Sequence, residues 1–119
     1  MIRLALAFIA LGLPAVAQEP APWVGIWAAD PEWCAFSDSI GQQETTPIRI
    51  TEVEFQGYEN RCEITATHPL QVLPGAELVM RCEAEGEVME DTRLVIADAP
   101  GSLLMLAGGG EPVRLTRCP

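Results

Sequence analysis

Four cysteines, Cys34, Cys62, Cys82 and Cys118, constrain this chain more than any other feature, because they are even in number and far apart. Zinc sites usually present ligands in close pairs such as C-x-x-C, whereas these cysteines lie twenty or more positions apart and His68 is the only histidine. An even set of this kind reads instead as two disulfides, which form in an oxidising compartment. The first seventeen residues supply the route there. Arg3, the apolar run over residues 4–13 and the small-residue site Ala15-Val16-Ala17 have the three parts of a bacterial secretory signal, with cleavage expected before Gln18. The apolar run is about half as long as a bilayer span, so it reads as a cleaved leader and not an anchor. The mature chain is therefore expected in the periplasm or secreted, without stable membrane insertion.

Removing residues 1–17 leaves 102 of the 119 residues, enough for one domain around one core. The leader takes Arg3 and no acid with it, so six basic residues face 17 acidic ones and the mature net charge is −11 with His68 neutral. Nucleic acid is excluded as a partner. Binding a phosphate backbone takes clustered Lys and Arg, and here there is no Lys and the Arg residues stand singly among Glu. Anionic membrane surfaces fall on the same ground.

Residues 18–22 carry two prolines and no apolar periodicity, which predicts a flexible segment leading into a single domain over residues 23–119. Residues 23–28 are aromatic and β-branched and read as a first strand. Asp30-Pro31-Glu32 then nominates one helical turn carrying Cys34: Asp caps, Pro fits the first helical position, and an acid stands in the first turn. After a polar loop, strand-like runs alternate with turn signals. Ile48, Ile50, Val53 and Phe55 mark a second strand. Residues 58–67 form a third, with Cys62, Ile64 and Ala66 on one face, and residues 77–85 a fourth, with Leu78, Met80, Cys82 and Ala84 on one face. A fifth, residues 87–97, places Val88, Leu94 and Ile96 on a shared parity. Ala99-Pro100-Gly101-Ser102 is a turn, followed by strands at residues 103–107 and 113–118. About seven short strands joined by hairpins predict an all-β fold: an antiparallel meander forming a small barrel or curled sheet, with one short helical turn and two disulfides.

Of the three ways to pair four cysteines, Cys62 with Cys82 follows if the third and fourth strands form a hairpin centred near residue 72. In a closed meander with an odd strand count the first and last strands run parallel. That closure brings Cys34, just after the first, to Cys118, at the end of the last.

Gly25-Ile26-Trp27 in the first strand, with Arg114 and Arg117 in the last, resembles the calycin superfamily of small barrels. The resemblance implies that Trp27 closes the barrel floor under an arginine of the final strand; a guanidinium on an indole face is worth roughly 0.5–2 kcal/mol. Within that group the chain is similar to periplasmic inhibitors of secreted metalloproteases, in which G-x-W is followed by a Cys and a flexible N-terminal segment enters the protease cleft. Residues 18–22 match that segment. The chain departs from the pattern in having four cysteines and the C-x-x-E-G run from Cys82 to Gly86. G-x-W, E-x-x-C at Glu59 to Cys62 and C-x-x-E-G together also resemble small exported bacterial proteins of unknown function.

Catalysis finds little support in the residues. A nucleophile needs an adjacent base, but His68 stands beside a proline in an expected turn and the cysteines are taken by disulfides. The carboxylates Glu83, Glu85, Glu87, Glu90 and Asp91 are plentiful, yet strand parity does not converge them in a cleft, and they lack the spacing of a calcium loop. Trp23, Trp27 and Trp33 are expected to pack in the core. The reading is a non-enzymatic binding module without cofactor or metal, meeting an envelope or secreted protein. The alternatives are a protease inhibitor acting through residues 18–22 and a carrier of a small apolar ligand.

Overall fold

The structure is a computed structural model and describes residues 19–108 and 110–119, with Ile9 and Gly12. The rest of the expected leader, and Gln18, lie outside the described residues. Eight strands follow one another: β1 (Gly25–Ala28), β2 (Ile48–Ile50), β3 (Glu54–Gly57), β4 (Asn60–Pro69), β5 (Gly75–Ala84), β6 (Glu87–Ala99), β7 (Ser102–Ala107) and β8 (Val113–Arg117). A 3-10 helix, Pro31–Phe36, stands between β1 and β2, capped by the Asp30 carboxylate, which accepts from the Glu32 backbone N–H at 2.9 Å. Every strand pairs antiparallel with its sequence neighbours, and β1 pairs with β8, so the sheet closes as an up-and-down barrel without a free edge. Among the described residues no helix is long and apolar enough to cross a membrane.

The count exceeds the expected seven because the run from Ile48 to Phe55 is two strands. Thr51 makes the turn between them: its hydroxyl accepts from the backbone N–H groups of Glu54 at 2.9 Å and Val53 at 3.2 Å. A threonine turn lacks the Gly or Pro that announces most turns in sequence. The even count also reverses the closure, since β1 and β8 run antiparallel, with Trp27 opposite Arg117. Cys34 and Cys118 are nonetheless bonded. The Cys118 backbone N–H donates to Ile26 O at 2.8 Å, and the helix carrying Cys34 packs against β1 to reach it. Cys62 and Cys82 are bonded across the β4–β5 hairpin as directly opposed residues.

Two expected parities change. A bulge between Ile64 and Ala66 shifts β4 by one residue, so that Thr67 and not Ala66 shares the face of inward Leu78. In β6 the whole face inverts. Ala84 stands opposite Glu87 across the two-residue turn Glu85-Gly86, and Cys82 opposite Met89, so Met89, Asp91, Arg93 and Val95 share the inward face. Leu94 and Ile96 instead lie on the outer face, opposite Leu106 and Leu104. The interior is filled by Trp27, Ile50, Phe55, Leu78, Met80, Val95, Leu103 and Leu115 together with the Cys62–Cys82 bridge. Of the three tryptophans Trp27 is the one fully buried, and Trp23 packs against the cluster.

Candidate functional site

Up-and-down topology gives the barrel two chemically distinct ends. The floor carries the N-terminal segment before β1, the β4–β5 loop, the β6–β7 turn and the C-terminus. The mouth carries the long β1–β2 connection and the β3–β4, β5–β6 and β7–β8 turns.

At the floor, Trp27 is 1% exposed and the Arg117 guanidinium carbon lies 4.3 Å from the centroid of its ring. The same guanidinium donates from Nη1 to Val24 O and from Nη2 to Pro22 O, both at 3.0 Å, while the Trp27 indole N–H donates to Trp23 O at 2.9 Å. The two side chains thus hold three successive carbonyls of the strand entry, and residues 19–22 leave the barrel from a fixed point. Gly25 makes this arrangement sterically feasible. Its φ is 153°, and a Cβ there would overlap Arg117 Nη1. Arg114, the other arginine singled out in sequence, points away from the floor tryptophan. It grips Asp98 with Nη1–Oδ1 and Nη2–Oδ2 distances of 3.0 Å and reaches Ser102 Oγ at 2.7 Å. Those bonds from Arg114 hold the Asp98 carboxyl below its usual range. A shallow cleft of about 340 Å³ runs between Pro22, Trp27, Asp98, Pro100 and Arg117. The neighbouring β4–β5 loop exposes Val72 and Leu73.

At the mouth, inversion of the β6 face brings charge inside. Side-chain exposure on its inward face rises stepwise: Val95 is fully buried, Arg93 is 20% exposed, Asp91 30% and Met89 about half. Arg93 Nε donates to Asp91 Oδ2 at 3.0 Å, and the guanidinium carbon lies 4.7 Å from the Phe55 ring centroid. Above this pair opens a recess of about 330 Å³ lined by Tyr58, Glu59, Asn60, Ala84, Glu85 and Met89. Glu59, with lesser help from burial and from Glu44 and Glu85, pushes the Tyr58 hydroxyl above its ordinary pKa, a sign of negative potential here.

Of the acids named from the sequence, Glu83, Glu85 and Glu87 line an open hollow at the β5–β6 turn together with Glu59. Glu83 also faces outward in a second surface hollow with Glu54, Arg61, Glu63 and Arg81, where signs alternate and Arg61 pairs with Glu54 at 2.9 Å. His68 is exposed on β4 opposite Glu77. Among the described residues no three His, Cys, Asp or Glu side chains stand where they could hold a metal ion. Arg93 escaped the sequence reading of the site, and Asp91 figures there only among carboxylates that strand parity does not converge. The signal that places them is the two-residue turn at Glu85-Gly86, which carries the inward parity of Ala84 across to Glu87, Met89 and onward. The chain matches no family model, no curated protein and no solved structure.

Proposed function

We propose that this chain is a non-enzymatic binding module of the periplasm or the secreted space, and that it meets a partner protein with the floor end of its barrel. The observation that carries this reading is the clamp on the strand entry: Arg117 and Trp27 hold the carbonyls of Pro22, Trp23 and Val24, so the segment before them is presented from a rigid platform. Presenting a segment from a fixed root lowers the ordering entropy lost on binding. Exposed Val72 and Leu73 on the adjacent loop supply apolar contact area at the same end.

Inhibition of a secreted protease is the finer form of this reading. It is supported by Pro20 and Pro22, which lack the N–H groups a substrate strand donates to a protease and so suit a segment that occupies a cleft without being processed. The stack of Arg117 on Trp27 in a closed antiparallel barrel supports the calycin-like resemblance from which that idea came. The apolar-carrier alternative is disfavoured, because large side chains, Trp27, Phe55, Leu78 and Met80, occupy the positions a ligand chamber would need. Deleting residues 18–22 tests the proposal. The deletion removes the Pro22 and Ala21 carbonyls, so the folded barrel should survive with its thermal transition lowered by several degrees, while partner binding, and any protease inhibition, falls at least tenfold; binding that survives the deletion would place the contact elsewhere.

A further inference from the structure

Arg93 turns a guanidinium into the mouth of the barrel from its strand position, where its β5 neighbour is Leu78. Only part of its hydrogen-bonding capacity is used. Nε serves Asp91, and Nη1 lies 3.8 Å from the Met105 sulfur, a weak acceptor. Nη2 makes no hydrogen bond to any described residue, yet it is not sealed from water, because among these residues the side-chain nitrogen of Gln43 is the one polar side-chain atom both buried and unpaired. Arg93 lines the recess, so Nη2 is the donor it has left for a ligand there. The same reasoning applies to the Asn60 amide nitrogen, which also lines it.

The recess thus has the Arg93 guanidinium, paired with Asp91, toward its base, and the Glu59 and Glu85 carboxylates with the Asn60 amide toward its rim. Glu59 and Glu85 occupy the two hairpin turns that flank it, and Asp91 adds a third acid against the single positive charge of Arg93. A bare anion would enter against a net charge of −2 summed over these four side chains. A bare cation would satisfy the rim carboxylates and leave the Arg93 guanidinium facing it. A molecule carrying both charges satisfies each end. Between them, Met89 and Ala84 offer an apolar wall.

We infer that the recess at the mouth of the barrel binds a small zwitterion, a free α-amino acid with an aliphatic side chain. Its carboxylate sits on Arg93 Nη2 and the Asn60 amide, its ammonium turns toward Glu59 and Glu85, and its side chain lies on Met89 and Ala84. The recess, about 330 Å³, falls at the small end of the range typical of ligand pockets and suits a ligand of this size. The inference is independent of residues 18–22 and of any protein partner at the floor.

Calorimetric titration of the disulfide-bonded protein with L-leucine tests it against the two halves of that molecule. The halves are 3-methylbutylamine, which lacks the carboxylate, and 4-methylpentanoate, which lacks the ammonium. Leucine is expected to bind with a Kd of about a millimolar or tighter, and at least about tenfold more tightly than either half. Leucine amide and N-acetyl-leucine stand in for the two ends of a peptide and should bind as weakly as the halves. Arg93→Met, which keeps the stem over Phe55, should weaken leucine at least tenfold. Should that variant lose its native circular dichroism, the paired change Glu59→Gln and Glu85→Gln at exposed turns decides, and it should narrow the lead of leucine over 4-methylpentanoate. Leucine binding no tighter than its halves or its blocked forms overturns the inference. So does binding that is unchanged in a folded Arg93→Met protein, or selectivity that is unchanged in the paired glutamine variant.

Discussion

Replacing Arg117 by methionine keeps an unbranched stem over Trp27 and removes the guanidinium that ties the strand entry to the barrel floor. Three interactions go with it: the stack at 4.3 Å and the two hydrogen bonds at 3.0 Å to Val24 O and Pro22 O. At a site open to solvent the stack is worth about 0.5–1 kcal/mol and each hydrogen bond about 0.5–1 kcal/mol, so the substitution should cost about 2 kcal/mol. Arg117→Lys keeps the charge and loses the two-pronged grip, and should cost about half as much. Urea denaturation reads both, as a fall in midpoint at constant slope, because the surface exposed on unfolding is unchanged. For a domain of about a hundred residues, 2 kcal/mol corresponds to a drop in Tm of roughly 8–16 °C. The Trp27→Phe variant completes a double-mutant cycle whose coupling should be about 1 kcal/mol. Limited proteolysis should cut before Val24 in Arg117→Met far faster than in the native protein. A cost below about 0.3 kcal/mol with an unchanged cleavage rate would refute the claim that Arg117 fixes the root of the segment.

Phe55→Ala, at a position 1% exposed, should destabilise by about 3–5 kcal/mol in the same denaturation assay and, by removing the surface under Arg93, weaken binding at the mouth. The pair Cys34→Ala and Cys118→Ala opens a sequence separation of 84 residues and should cost roughly 4–5 kcal/mol on a chain-entropy basis. Cys62→Ala with Cys82→Ala spans 20 residues and should cost roughly 3 kcal/mol plus the packing of two buried sulfurs, so the two measured costs should fall close together. Asp98 has a lowered pKa in the folded state, principally through the Arg114 hydrogen bond. Its contribution to stability is therefore present above the ordinary carboxylate range of about 4 and is lost as the pH falls through the depressed value. The stability gap between the native protein and Asp98→Asn, followed by thermal melts from about pH 6 to about pH 2.5, should shrink toward zero.

What the sequence makes legible here is local and chemical. Asp30-Pro31-Glu32 announces its helical turn because a cap, a fixed φ and an acid in the first turn all act within four residues. The strand alternation around Cys62 and Cys82 announces their hairpin and their bond. Gly25-Ile26-Trp27 points to a floor, and of its two candidate arginines Arg117 is the one stacked there, while Arg114 reaches Asp98. The expected bond between Cys34 and Cys118 is present, although the parallel closure that suggested it is not. The misses share a cause. Thr51 turns the chain with a hydroxyl instead of Gly or Pro, and the bulge at Thr65 and the face of β6 depend on register, which neighbouring strands impose. Val88, Leu94 and Ile96 share a parity that Glu90 and Thr92 interrupt. The turn at Glu85-Gly86 overrides it, and that override is what carries Asp91 and Arg93 into the mouth.

Photo-crosslinking in the intact cell envelope tests the central claim most directly, with a photoreactive side chain placed at Ala21 in one variant and at Glu87, beside the mouth, in another. If the floor end meets a partner protein, position 21 should yield one discrete protein adduct that position 87 does not. No adduct at position 21, or the same adducts from both ends, would contradict that claim.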